Sequence, residues 1–147
     1  MKALVVYDSL YGNTEQIAKA IGEGIGGGVK VVRSAEADVS SLGDYDLIII
    51  GAPTQAGRPM RTAQAFLDKL PADALKNKKV VAFDTRGKTW IVKIFGWAAT
   101  RIEKVLIEKG GSLVAPGEGF FVKATKGPLM EGELERAAAW AKGIAAK

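Results

Sequence analysis

The fold is decided by one stretch of sequence, Val5-Val6-Tyr7-Asp8-Ser9-Leu10-Tyr11-Gly12-Asn13-Thr14-Glu15-Gln16-Ile17-Ala18. It belongs to an apolar run that begins at Ala3, and an unbroken run of this kind is typical of a parallel strand buried on both faces. After a polar turn around Gly12, apolar residues recur at helical spacing and predict a helix over about Asn13–Gly24. A strand that passes through a tight turn into a helix is the first half of a βαβ unit.

The rest of the chain repeats this alternation. The predicted strands are Ala3–Tyr7, Lys30–Arg33, Leu47–Gly51, Val80–Phe83 and a split pair, Leu113–Ala115 and Phe120–Val122. The further helical stripes are Ala63–Leu70 before Pro71, Ile91–Leu106 before Gly110-Gly111, Leu134–Ile144, and a short helix near Ser40-Ser41-Leu42. This order predicts an α/β fold, an open parallel sheet with helices on both faces. Because no linker or shift in composition interrupts it, residues 1–147 are expected to form one domain.

Composition removes several classes of chemistry. The 147 residues contain no cysteine and no histidine, so zinc-thiolate sites, thiol nucleophiles and imidazole bases are unavailable. A redox role must therefore use a bound cofactor, and we assign no catalytic residue and no metal ligand. No apolar run reaches about 18 residues, so no transmembrane segment is expected. The first residues lack a signal-peptide pattern, so a cytoplasmic location is expected.

Two signals of nucleotide binding are weak. The formal net charge is +5, but the basic residues are spread along the chain among 16 acidic ones, so no nucleic acid partner is expected. Residues Gly22-Glu23-Gly24-Ile25-Gly26-Gly27 match G-x-G-x-x-G. They stand at a helix end and before a strand, whereas the dinucleotide fingerprint follows a strand and opens a helix. We interpret them as a helix end and turn.

The loop from Ser9 to Thr14 carries the strongest functional signal. Its two hydroxyls bracket Gly12, and a helix begins at once, so backbone N–H groups and the helix N-terminus form a neutral site that attracts anions. The loop has no lysine and is therefore not a nucleoside-triphosphate loop. The alternative interpretation is an ordinary helix start in which Ser9 or Thr14 only satisfies the backbone.

With its β-branched pair, aromatic residue, serine, Gly-x-Thr spacing and helical alanine, this stretch resembles the FMN-phosphate signature of the flavodoxin family. The order of elements also matches that family over essentially the whole chain. The resemblance implies a five-stranded sheet of order 2-1-3-4-5 with FMN as the cofactor. It also implies a phosphate loop made of Ser9, Leu10, Tyr11, Gly12, Asn13 and Thr14.

A second loop is Gly51-Ala52-Pro53-Thr54-Gln55-Ala56-Gly57-Arg58-Pro59. The resemblance implies that this Gly-x-Pro-Thr segment passes beside the flavin, with Thr54 at the phosphate or ring edge. It also implies that the backbone of Gln55, Ala56 and Gly57 faces the reactive N5. The alternative is a simple turn. Many flavodoxins stack an aromatic side chain here, and Gln55 and Ala56 are not aromatic, so one ring face is expected to be more open.

A third loop is Phe83-Asp84-Thr85-Arg86-Gly87-Lys88-Thr89-Trp90. The resemblance implies that Asp84, Thr85, Arg86 and Gly87 lie near the pyrimidine edge through their backbone amides. Trp90 is the candidate aromatic contact to the ring, or else a core anchor that begins the next helix.

Converging loops would surround the cofactor with Arg58, Arg61, Arg86 and Lys88. Because fully reduced FMN is close to anionic, such cations are expected to make the last reduction step easier than in acidic flavodoxins. Replacing Arg86 by Glu should then lower that potential, and a potential that does not respond to salt would contradict the idea.

Residues Trp90, Ile94 and Trp97 follow at helical spacing beside Lys93 and Arg101. This pattern predicts either a basic face for a partner, a dimer or a membrane surface, or two large residues that cover the domain's own edge. Trp140 lies off the stripe of the last helix and could mark the same kind of surface.

The sequence is compatible with three functions to different degrees. The leading one is an FMN electron carrier between redox protein partners, a reductase and an acceptor, with acidic partners suited to the basic charge. The alternative is an FMN-dependent quinone or small-molecule oxidoreductase, which the open ring face favours and the short chain disfavours. The third is a signalling receiver domain, which would need an acceptor Asp where the third strand ends in Ile50-Gly51.

Overall fold

A computed structural model describes residues 2–54, 60–87 and 97–147. Strands and helices alternate along them. The strands are β1 (Ala3–Tyr7), β2 (Val29–Arg33), β3 (Leu47–Pro53), β4 (Lys79–Gly87), β5 (Ser112–Leu113) and β6 (Glu118–Val122). The helices are α1 (Asn13–Ile25), α2 (Arg61–Asp68), α3 (Ala98–Glu108) and α4 (Glu133–Ala145), with short 3₁₀ helices at Ser34–Glu36 and Val39–Asp44. No helix within the described ranges is long and apolar enough to cross a membrane.

The strands form a parallel sheet of order β2-β1-β3-β4-β5, which confirms the predicted order. The fifth position is filled in two pieces. β5 pairs with the start of β4, Lys79 opposite Ser112, and β6 pairs with its end, Phe83 opposite Glu118 through Gly87 opposite Val122. The split pair predicted from the sequence is therefore two strands beside one long neighbour.

Each face of the sheet is covered by helices, as the unbroken apolar strands predict. On β1, Leu4 and Val6 pack in the cluster that contains α2 and α3 residues, and Val5 packs in the cluster that contains α1 and α4 residues. The core therefore lies in two layers, and the carboxyl ends of the strands are left at one edge, where ligands of such sheets bind.

Two predicted boundaries are wrong. β4 was expected to end at Phe83 but continues to Gly87, because β6 pairs with the extension. The third long helix was expected to run unbroken from Ile91. Residues 91–96 lie outside the described residues, but Trp97 is extended (φ −127°, ψ 149°), so the helix that follows it begins at Ala98. Trp97 is therefore not part of a helix, and Trp90 and Ile94 lie outside the described residues. Its ring instead lies 3.6 Å from the guanidinium carbon of Arg86.

Trp140 is also placed differently from the expectation. Its ring packs edge-on against Phe120, with centroids 5.8 Å apart and planes at 74°, and it adds to the core layer under α1 and α4. It is a partly buried packing residue.

Alanine substitutions at two helical glycines are expected to change the free energy of unfolding in opposite directions. A Cβ at Gly24 in α1 would meet the backbone of Ala138 in α4, 2.9 Å from its Cα, whereas one at Gly143 would meet nothing within 4 Å. Gly24→Ala is expected to lower the free energy of unfolding by about 1 to 2 kcal/mol, because the clash outweighs the helix propensity gained. Gly143→Ala should raise it by about 0.5 to 1 kcal/mol. Urea unfolding of both variants measures the difference, and equal shifts would contradict the close approach of α1 to α4.

Candidate functional site

A cavity of about 680 Å³ opens at the carboxyl edge of the sheet. Four segments line it, one after β1, one at the end of β3, one at the end of β4 and one after β6. The lining residues expected from the sequence are Leu10, Tyr11, Asn13, Thr14, Pro53, Thr54, Thr85, Arg86 and Gly87. Those not expected are Val122, Lys123, Ala124, Thr125 and Met130. Three predicted loops thus converge on one cavity, and a fourth segment completes it.

The loop before α1 is closed by its own hydrogen bonds. Ser9 Oγ accepts from the N–H of Gly12 at 3.0 Å, and the carbonyl of Gly12 accepts from the N–H of Gln16 at 3.1 Å. Gly12 has φ +90°, a left-handed conformation that favours glycine. As the residue before the helix it has no side chain to cap α1, so the first-turn N–H groups keep their donor capacity. The loop presents uncharged donors at a helix N-terminus, which suits an anion.

Thr14 joins this loop to β4. Its Oγ1 lies 2.8 Å from Oγ1 of Thr85, in a hydrogen bond that spans from the first turn of α1 to the end of the strand. The two residues are only 2% and 5% exposed, and both line the cavity. A pair of hydroxyls therefore forms part of the cavity wall beside the helix N-terminus.

The wall after β6 is a turn over residues 123–128. The N–H of Lys123 donates to the carbonyl of Pro128 at 2.8 Å, and Val122 pairs antiparallel with Leu129. Asn13 holds the turn against α1 by donating from Nδ2 to the carbonyl of Lys126 at 3.2 Å. This segment carries no motif, so its place in the cavity wall was not predicted from the sequence. Its signal is positional, since it follows a strand that ends at the same edge.

Asp84 lies beneath the cavity and does not line it. It is fully buried, and its carboxylate accepts from Arg86 Nε at 2.7 Å and Nη2 at 2.8 Å and from the N–H of Ala99 at 2.9 Å. Burial raises the pKa of Asp84, and the hydrogen bonds and charge of Arg86, the Ala99 N–H and Thr54 oppose that rise. Asp84 thus fixes Arg86 in the cavity wall and satisfies the first turn of α3.

The remaining predicted residues fall into three groups according to where the structure places them. Ser9 and Gly12 shape the loop between β1 and α1 without lining the cavity. Gln55, Ala56, Gly57 and Trp90 lie outside the described residues, as do Arg58 and Lys88. Arg61 is exposed in the first turn of α2, and Arg86 is neutralised by Asp84. The easier last reduction step expected from four cations therefore stays a prediction, with Arg86 contributing less charge than assumed.

The cavity fits a phosphate-bearing flavin on its own geometry. Its volume falls within the range of about 300 to 1,000 Å³ typical of ligand sites. One end offers hydroxyls and helix N–H groups, which suit a phosphate, and the walls at Pro53, Gly87 and Met130 offer apolar and backbone surface, which suits a planar ring.

Comparison with known proteins agrees with this geometry. The family model for flavodoxin matches residues 5–140. A flavodoxin of Picosynechococcus is 31% identical over 106 residues, which cover 70% of this chain and 62% of that protein. An NAD(P)H dehydrogenase (quinone) of Caulobacter vibrioides is 39% identical over 90 residues, 46% of this chain and 45% of that protein. Oxidised Flavodoxin 2 from Bacillus cereus superimposes with a TM-score of 0.82 at 28% identity and covers 99% of both chains.

The alignments with the dehydrogenases cover only part of those proteins. The chain spans about half the length of the curated quinone dehydrogenase relatives that it matches. Their full activity is therefore a hypothesis for this chain, whereas the structural match to the Bacillus flavodoxin extends end to end.

Proposed function

The chain belongs to the flavodoxin family, whose cofactor is a flavin, and from this premise we propose that it binds FMN and carries electrons between redox proteins. The single observation that carries the proposal is the cavity whose one end is the uncharged Ser9–Thr14 loop and the N-terminus of α1. An anion at that end would meet hydroxyls and helix N–H groups, which bind phosphate without a lysine.

In this proposal the phosphate lies against the residues from Ser9 to Thr14 and the ring lies along the end of β3 and β4. Bound flavin supplies both one-electron and two-electron transfer, and no side chain of this chain can cycle two electrons at a time. The chain's own residues hold and orient the cofactor, exclude water from one side of it and set the charge around it. The proposed ring contacts are Pro53, Thr54, Gln55, Ala56, Gly57, Arg86, Gly87 and Trp90. Thr85 lines the cavity beside Thr14, and Asp84 acts from beneath through Arg86.

An acidic redox protein is the proposed partner. Leu10 and Tyr11 are 50% and 46% exposed at the mouth of the cavity, where Lys123 is also exposed. Lys126 is exposed next to them, with its Nζ 5.9 Å from the Tyr11 ring centroid. An apolar centre with a basic rim complements a partner with acidic residues around its own redox centre.

The second candidate is an FMN-dependent quinone reductase. The observation that favours it is the 39% identity to a protein named as an NAD(P)H dehydrogenase (quinone), over 90 residues. Steady oxidation of NAD(P)H by a quinone in the presence of the pure, FMN-loaded protein would support this candidate. Reduction that requires an added flavoprotein reductase would support the carrier.

The test begins with a titration of the apo-protein with FMN, in which binding is monitored by flavin fluorescence. We expect a yellow 1:1 complex that an added reductase reduces at a rate that falls as the salt concentration rises. With NAD(P)H and quinone alone, we expect turnover no higher than background. Failure to bind FMN would contradict both functions. The expectations of one domain over residues 1–147 and of a cytoplasmic location remain part of the proposal.

A further inference from the structure

We propose that Thr85 is a positioning residue for the cofactor phosphate and that it acts through the hydroxyl of Thr14. This inference rests on the proposed function and deepens it. It starts from the 2.8 Å hydrogen bond between the two Oγ1 atoms, which are separated by 71 positions in the chain. Within the described residues, this is the hydrogen bond recorded for the Thr14 hydroxyl.

The bond can be polarised in two ways. A hydroxyl has one proton and two acceptor lone pairs. If Thr14 donates to Thr85, the Thr14 proton points into the wall and is not available to a ligand in the cavity. If Thr85 donates to Thr14, the Thr14 proton is free to point into the cavity. An anion beside the N-terminus of α1 needs donors, so it selects the second arrangement.

Thr85 is well held for this role. It lies in β4 between two neighbours, with Pro53 of β3 opposite on one side and Phe120 of β6 on the other. A threonine has few rotamers, so a fixed backbone also fixes its hydroxyl. Because Thr85 is only 5% exposed, little water can replace its hydrogen bond to Thr14. The result is a Thr14 hydroxyl oxygen held in place before the ligand arrives, so that only the two hydroxyl protons reorient when the anion binds.

The competing role for Thr85 is a direct contact with the flavin ring, since its side chain also lines the cavity. The two roles differ in their dependence on the phosphate. A ring contact affects FMN and riboflavin alike, whereas positioning of a phosphate donor affects FMN alone, because riboflavin has no phosphate.

The experiment measures dissociation constants for FMN and riboflavin in the wild type, Thr85→Val and Thr85→Ser. Valine keeps the shape and removes the hydroxyl, and serine restores the hydroxyl as the matched control. We expect Thr85→Val to weaken FMN binding about tenfold, as for loss of a hydrogen bond to a charged ligand. Riboflavin binding should stay within about twofold, and Thr85→Ser should bind FMN as the wild type does.

A second background tests whether Thr85 acts through Thr14. In Thr14→Val, adding Thr85→Val should cost no further FMN affinity, because the hydroxyl it aims is already gone. The ³¹P resonance of bound FMN should move in Thr85→Val and return in Thr85→Ser. If Thr85→Val fails to fold, as judged by circular dichroism, Thr85→Ala takes its place as the variant without a hydroxyl.

The outcomes separate the inference from the proposed function. Equal losses for FMN and riboflavin, unchanged FMN binding, or a full additional loss in the Thr14→Val background would each overturn the role of Thr85 and leave the FMN proposal intact. A wild-type protein that binds neither flavin would overturn the proposed function and the inference with it.

Discussion

Replacing Asp84 by Ala is expected to lower the free energy of unfolding by about 3 to 5 kcal/mol. Asp84 is fully buried and is the counter-charge of Arg86, whose side chain is 13% exposed. Removing the carboxylate leaves a guanidinium in the cavity wall without its partner. It also leaves the N–H of Ala99 without an acceptor. A buried ion pair contributes little net stability, but breaking one partner is costly because the other charge stays behind.

The matched control is another ion pair of the same chain. Arg136 lies 3.1 Å from Glu118, and both side chains are partly exposed. Glu118→Ala is expected to cost less than about 1 kcal/mol. Urea unfolding at neutral pH measures both variants, and near-ultraviolet circular dichroism should show the altered environment of Trp97 in the Asp84 variant. A loss for Asp84→Ala no larger than for the control would contradict the role of the cluster.

The pH dependence of this cluster follows from the direction of the pKa shift. Burial raises the pKa of Asp84 above its ordinary value of 3.8, so at pH values between the unfolded and the folded pKa the folded protein holds a proton that the unfolded protein has released. The stability from this group is fully present below the ordinary value and is lost as the pH rises through the folded value. Asparagine does not titrate, so the free energy of unfolding of Asp84→Asn should lack this decline with rising pH.

The same cluster explains why part of the fold could not be predicted. The residues Asp84-Thr85-Arg86-Gly87 are polar and indicate a loop by local pattern. They are strand because Asp84 and Arg86 satisfy each other, and because Gly119 on β6 leaves room for the guanidinium of Arg86, which an added Cβ would meet. Both causes lie in tertiary contacts.

The start of α3 shows the same limit. The apolar stripe predicted a helix from Ile91, but the first N–H groups of the helix at Ala98 are satisfied by one side chain just after β3 and one within β4. Thr54 Oγ1 accepts from Ala98, and Asp84 accepts from Ala99. A cap supplied from a distant part of the chain leaves no local signal, unlike a serine or aspartate just before a helix.

The loop from Ser9 to Thr14 was predictable because its strand, turn and helix are continuous in sequence. Ser9 accepts a hydrogen bond from the N–H of Gly12, Gly12 has a left-handed backbone conformation, and Thr14 lies in the first turn of α1. The turn at Lys123 reaches the same cavity only because β6 pairs with the end of β4. Local chemistry was therefore visible in the sequence, and the wall that completes the site was not.

This continuity makes the loop the place for the sharpest test of the proposed cofactor. Ser9→Asp is expected to weaken FMN binding at least about 100-fold and to leave riboflavin binding nearly unchanged. Two unit charges about 4 Å apart near a protein surface repel by roughly 4 kcal/mol, which is more than such a loss requires. An aspartate can still accept from the N–H of Gly12 as Ser9 Oγ does at 3.0 Å, so the turn is preserved.

Ser9→Asn is the matched control, since asparagine has the shape of aspartate and an acceptor oxygen but no charge. It should bind FMN within about threefold of the wild type, the residual cost of a changed hydrogen bond.

The stability of the aspartate variant should change in the opposite direction to its FMN affinity. Its free energy of unfolding should rise by about 0.3 to 1 kcal/mol, because a carboxylate near the N-terminus of α1 favours the helix. A variant that is more stable yet loses FMN cannot owe the loss to unfolding. Because the repulsion is electrostatic, the gap between the two variants should also narrow as salt rises. If the aspartate and asparagine variants bind FMN equally well, the phosphate does not lie at this loop, and the cofactor would have to be bound elsewhere along the edge of the sheet.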